Sequence, residues 1–69
     1  MVEVFKTDVT NKSAANKLIE QIQEHFDYQV NFDLEDCDKI LRVECGSKAI
    51  EVSRLIDLLE VYGFRAEIL

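Results

Sequence analysis

Residues 28–45 read YQVNFDLEDCDKILRVEC, and this stretch decides the fold. Tyr28, Val30, Phe32 and Leu34 alternate with Gln29, Asn31 and Asp33, the period-2 pattern of a strand with one buried face. Leu41, Val43 and Cys45 alternate with Arg42 and Glu44 in the same way. Asp36-Cys37-Asp38-Lys39 between them reads as a turn. A hairpin therefore occupies the middle of the chain, with its tip at Glu35 to Lys39.

Upstream, Val2 to Val9 (VEVFKTDV) also alternates, with Phe5, Thr7 and Val9 on one face and Glu3 and Asp8 among those opposite. Thr10, Asn11 and Ser13 then offer helix-capping oxygens. Ala15, Leu18, Ile19, Ile22 and Phe26 recur at helical spacing, with Lys17, Glu20, Gln23 and Glu24 on the wet side. Downstream, Gly46 breaks the third strand and Ser47 is placed to cap a second helix running to Tyr62. Gly63 is placed to end that helix in a left-handed conformation. Phe64 to Leu69 is a short final strand.

The order is β-α-β-β-α-β, and its pattern repeats at an offset of 36 residues. Phe5, Thr7 and Val9 correspond to Leu41, Val43 and Cys45, and Asn11-Lys12 to Ser47-Lys48. Ile22, Phe26, Tyr28, Val30 and Phe32 correspond to Leu58, Tyr62, Phe64, Ala66 and Ile68. One β-α-β half cannot cover its own apolar face, so the two halves are expected to share a sheet with both helices on one side. Right-handed crossovers then predict an α+β, ferredoxin-like βαββαβ sandwich whose antiparallel sheet has the order 4-1-3-2. Residues 1–69 form a single such domain in this reading.

Composition narrows function by exclusion. The chain has 14 acidic and 8 basic side chains and a formal net charge of −6. Nucleic-acid affinity rests on cations displacing phosphate counterions, and docking on an anionic membrane needs the same sign. Both are disfavoured, and any charge-selected protein partner is a basic one. No apolar run approaches the length of a bilayer span. A chain this short buries only about 60% of its unfolded surface, which leaves little room for an enclosed catalytic cavity. The β-α-β-β-α-β order also serves RNA-recognition modules, which stack bases on aromatics of the open sheet face. The outward positions here are Val2, Val4, Lys6, Ile40, Arg42 and Glu44, which provide no aromatic platform.

The two cysteines, Cys37 and Cys45, are eight residues apart. Along one extended strand that is ~26 Å, whereas disulfide Cα atoms lie within about 7 Å. Two unpaired thiols with no basic-then-apolar leader suggest a reducing cytosol, hence a cytoplasmic protein.

A family resemblance enters at the first strand-to-helix loop. Val9-Thr10-Asn11-Lys12-Ser13-Ala14 resembles the M-T-C-x-x-C segment of the heavy-metal-associated domains, the copper chaperones and the N-terminal domains of metal-pumping ATPases. Leu18 and Ile22 fall where that family keeps apolar helix positions. Gly63-Phe64-Arg65-Ala66-Glu67-Ile68 resembles the family's Gly-aromatic-x-Ala-Glu-apolar finish. The resemblance spans essentially the whole chain, but both metal-binding cysteines are missing. Asn11 and Ala14 stand in their places, and Val9 replaces the methionine. Soft Cu(I) and Zn(II) are held by thiolates, so a carboxamide and a methyl group do not carry the family's metal transfer over. Asn11 reads instead as a helix N-cap.

The candidate binding end consists of Lys12, Asp36, Cys37 and Asp38, because the first loop, the hairpin tip and the Gly63-Phe64 turn fall at one end of the sandwich. Asp33, Glu35, Asp36 and Asp38 surround Cys37, but EF-hand spacing fails: counting from Asp33, position six is Asp38 rather than glycine. Cys45 continues the buried alternation. His25, the sole histidine, lies in the last turn of the first helix, without a nucleophile to pair with. No Gly-rich loop, Ser-His-Asp set or paired carboxylates define a catalytic pocket. The leading expectation is a non-catalytic protein-interaction module with no cofactor. The alternatives are a weak divalent-metal remnant at Cys37 and its carboxylates, and a homodimer. That dimer would join through the open sheet face or through Ile50, Leu58 and Val61 of the second helix, leaving the chain a monomer or weak homodimer.

Overall fold

A computed structural model describes residues 1–46 and 49–69. The elements are β1 (Val2–Thr7), α1 (Lys12–His25), β2 (Gln29–Asp33), β3 (Ile40–Glu44), α2 (Val52–Val61) and β4 (Ala66–Ile68). The sheet order is β2-β3-β1-β4 with every pair antiparallel, which is the 4-1-3-2 order expected from the sequence. Phe32, Leu41, Phe5 and Ile68 lie opposite one another across the four strands. That row sets the register, so Leu41 and Val43 face inward and Arg42 outward.

Both helices bury their apolar stripes in one core. Leu18 and Ile22 of α1 and Leu55 and Leu59 of α2 join Phe5, Val9, Leu41 and Val43, all at most 1% exposed. The opposite face of the sheet mixes polar and apolar groups: Gln29, Asn31, Asp33, Arg42 and Glu67 are exposed there beside Val2, with Val4 and Ile40 half-buried. Glu3 departs from expectation. It pairs with Val43 and shares the parity of Phe5, so it lies on the inward face, half-buried at the sheet's end.

The two halves of the repeat diverge at their helices. Helix α1 begins as expected, with Asn11 Oδ1 accepting the Ala14 N–H at 2.7 Å. The expected cap of the second helix, Ser47, lies outside the described residues. Helix α2 starts only at Val52, behind Glu51, whose side chain makes no capping bond. The chain first drops Ile50 into the core, where it is 8% exposed. The Glu51 N–H then donates to the Tyr28 hydroxyl at 3.0 Å. Tyr28 itself stacks on Phe26, with ring centroids 5.0 Å apart. Burial of Ile50 and the tyrosine anchor thus replace a side-chain cap and shorten the helix.

The end of α2 follows the sequence expectation. Gly63 has φ +87°. Its N–H donates to Glu60 C=O at 2.9 Å, and the Phe64 N–H donates to Leu59 C=O at 2.9 Å. This pairing satisfies two otherwise orphaned carbonyls, and Phe64 packs back on the core that holds Leu59. Among the described residues no helix is long and apolar enough to cross a membrane.

Candidate functional site

The candidate site is the end of the sandwich where β1 finishes, the hairpin turns and β4 begins. Thr7 ties the first two together. Its N–H donates to Asp38 C=O at 3.0 Å, and its hydroxyl donates to Lys39 C=O at 2.6 Å. The same hydroxyl oxygen accepts the Val9 N–H at 3.3 Å, steering the chain out of β1. Asp8 ties in the third connection, its carboxylate accepting the Arg65 N–H at 2.8 Å. Three loops distant in sequence are thereby held as one surface.

The hairpin tip is built from its own polar groups. Asp36 Oδ1 accepts the Asp38 N–H at 2.9 Å, a side-chain-closed turn. The Lys39 N–H donates to Asp36 C=O at 3.0 Å, and Lys39 takes a left-handed φ of +48°. Lys39 Nζ reaches back to Leu34 C=O at 3.0 Å. Cys37, between these anchors, is an exposed free thiol. Asp36 is exposed and Asp38 half-buried. Lys6 Nζ stands 3.9 Å from Asp38 Oδ1, a loose, half-exposed ion pair that adds little.

The expected site residues therefore sort into two groups. Asp36, Cys37 and Asp38 do come together: their ligand atoms lie within 4.8 Å of one another. Lys12 is exposed on the first turn of α1, beside a groove it shares with Asp33 and Glu35, on the β2 side of the same end. Asn11 and Ala14 offer no thiolate. The Asn11 carboxamide oxygen is engaged in the cap, and Ala14 is half-buried against the core with only a methyl group to offer. Neither residue fits the soft-metal chemistry of a thiolate pair.

Cys45 corrects an expectation. It lies one residue beyond β3 and is half-buried, packed against the core rather than inside it. Its backbone still extends the β1 pairing, since its N–H donates to Met1 C=O at 2.9 Å. Among the described residues no further strand row follows it to cover the thiol. Ile50 is corrected too: it sits in the core ahead of α2, so the outward apolar surface of that helix reduces to Val61, 79% exposed, with half-buried Leu58.

Sequence reading missed the groups that organise this end. Thr7 read as one more inward position, and nothing local marks its hydroxyl as a tie to the hairpin. Asp8 and Arg65 are 57 residues apart. No protein-family model matches the chain, and no curated protein or solved structure matches it.

Proposed function

We propose that this chain is a heavy-metal-associated-like domain that has lost its thiolate site and serves as a non-catalytic protein-interaction module. Its contact surface is the loop end, with Lys12, Asp36, Cys37 and Asp38 as participants. The observation that carries this reading is the set of Thr7 and Asp8 hydrogen bonds, which hold exposed acidic groups on a preordered surface. Preorganisation lowers the ordering cost of binding. The net charge of −6 selects a basic partner, and two free thiols suit a reducing cytoplasm.

The test uses Asp36→Asn with Asp38→Asn. Both changes remove charge while keeping the side-chain oxygens that shape the turn. Affinity capture with the wild-type chain should retain a basic protein that the double variant loses at unchanged fold. Equal capture by both would refute the loop-end reading. A second reading, a weak divalent-cation site at Asp36, Cys37 and Asp38, is favoured by the 4.8 Å clustering of their ligand atoms. It ranks lower because Asp36 Oδ1 is already committed to the turn and hard cations need six or more oxygens. Zn(II) titration read by amide shifts, with Cys37→Ser as control, separates the two.

A further inference from the structure

β2 is an edge strand: β3 pairs along one side, and no described strand pairs along the other. Such edges expose a row of backbone donors and acceptors. Folded proteins commonly blunt them with charged side chains, lysine above all, or with proline, a bulge or an inward-pointing charge. The β2 sequence Gln-Val-Asn-Phe-Asp has one charge, Asp33 at its end, but no lysine, proline or inward-pointing charge, and its register with β3 runs unbroken from Gln29↔Glu44 to Asp33↔Ile40. Its core-side residues, Val30 and Phe32, are half-buried. The other edge, β4, has three residues against five in β2. A groove of about 570 Å³ runs beside β2 on its helix side, lined in part by Ala15, Ile19, Phe32 and Leu34.

We infer that this edge takes a second copy of the chain, with β2 pairing antiparallel to its counterpart about a two-fold axis at Asn31. The strand is self-complementary in that register. Gln29 meets Asp33 of the second copy, an amide donor opposite a carboxylate. Val30 meets Phe32, apolar against apolar, and Asn31 meets Asn31, where carboxamides pair with each other. No like charges oppose one another along the strand. Directly opposed cross-strand pairs are the stabilising unit of a sheet, and like charges there destabilise it. A two-fold contact is isologous, so each unlike pair occurs twice.

The same axis runs α1 antiparallel to its counterpart above the seam. Lys12, Asn16 and Ile19 line the groove, and Gln23 continues their helical stripe. Ile19, half-buried in the single chain, is covered by the second helix. Charge supplies a further signature. Just beyond the paired residues Asp27 comes opposite Glu35 of the second copy, and each chain carries −6. Salt screens repulsion between exposed charges, so this dimer tightens as salt rises. An association held by exposed ion pairs would loosen.

The test is sedimentation equilibrium of the full chain across concentration, at low and high salt. Asn31→Lys sets two cations face to face on the axis, at an exposed position where the single chain tolerates it. It should raise the dimer Kd by about fivefold or more. Gln29→Lys sets a lysine opposite Asp33 of the other copy at both ends of the seam and should lower Kd by about 3–10-fold. The two variants change net charge equally, so a nonspecific charge effect would move both the same way. Glu60→Gln removes one negative charge beside β1 and β4, at the other edge of the sheet, and should leave Kd within about twofold because salt screens a charge so far from the seam. A chain that stays monomeric to millimolar concentration overturns the inference. So does a dimer that Asn31→Lys tightens, that salt loosens, or whose amide shifts centre on β4 or α2 rather than β2.

Discussion

Replacing Thr7 with valine tests whether one hydroxyl holds the loop end together. Thr7 is 7% exposed, and its hydroxyl both donates to Lys39 C=O and accepts the Val9 N–H. Valine keeps the shape and opens no cavity, so the loss is confined to hydrogen bonding. A net hydrogen bond contributes about 0.5–1.5 kcal/mol, and a buried group left unpaired costs about 1–3 kcal/mol. The Val9 N–H is buried, whereas the Lys39 carbonyl is half-exposed and can turn to water. The expected cost is therefore about 2 kcal/mol. A chain of this length has about 3–10 kcal/mol of total stability, so the loss is a large fraction of it. Thermal unfolding should drop by about 8–16 °C. In urea the midpoint should fall at unchanged slope, because the native fold and the surface exposed on unfolding are the same. Thr7→Ser, which keeps the hydroxyl and loses a methyl, should cost less. A Thr7→Val loss below about 0.5 kcal/mol, the range of ordinary surface changes, would refute the reasoning. So would a serine variant less stable than the valine one, which would mean the methyl contact matters and the hydroxyl does not.

A neutral thiol reagent should label Cys37 quickly in the native protein and Cys45 slowly, in keeping with exposed and half-buried thiols; equal rates would place Cys45 outside the packed sheet end. Cys37→Ser should change stability by less than about 0.5 kcal/mol, and Cys45→Ser should cost about 1 kcal/mol in urea unfolding, the low end for a hydroxyl set against apolar groups. Gly63→Ala meets no atom within 4 Å but must hold φ +87°, so it should cost about 1–2 kcal/mol from backbone conformation alone; a neutral result would mean the turn rearranges. Asn11→Ala should cost about 1 kcal/mol by removing the α1 cap. Cu(I) under reducing conditions should leave the wild-type Asn11 and Ala14 amides unshifted, whereas Asn11→Cys with Ala14→Cys should gain one-equivalent binding. Saturable wild-type shifts at those two residues would overturn the degenerate-site reading.

What the sequence by itself determined was everything that depends on near neighbours. Alternation between apolar and polar residues marks each strand and its inward face, because a strand's side chains point to opposite sides in turn. The 36-residue pattern offset then implied two β-α-β halves sharing a sheet, and handedness selected the strand order. Asn11 and Gly63 were legible as helix boundaries because capping is local chemistry. The cluster at Asp36, Cys37 and Asp38 was legible because its members are consecutive.

Tertiary structure decided whatever depends on what lies across the fold. Helix α2 begins at Val52 because Ile50 finds space in the core and Tyr28, 23 residues earlier, receives the Glu51 N–H. Local pattern alone would start that helix sooner. Cys45 has the parity of a core residue, yet it lies one residue past β3 and is only half-buried against the core. The inward direction of Glu3 follows from its parity with Phe5 alone, whereas its half-burial, which leaves the charge in reach of water, depends on where the fold places it. Thr7 and Asp8 organise the loop end through partners 32 and 57 residues away. A sequence records which groups can hydrogen-bond, but which of them meet is set by the packing of distant segments.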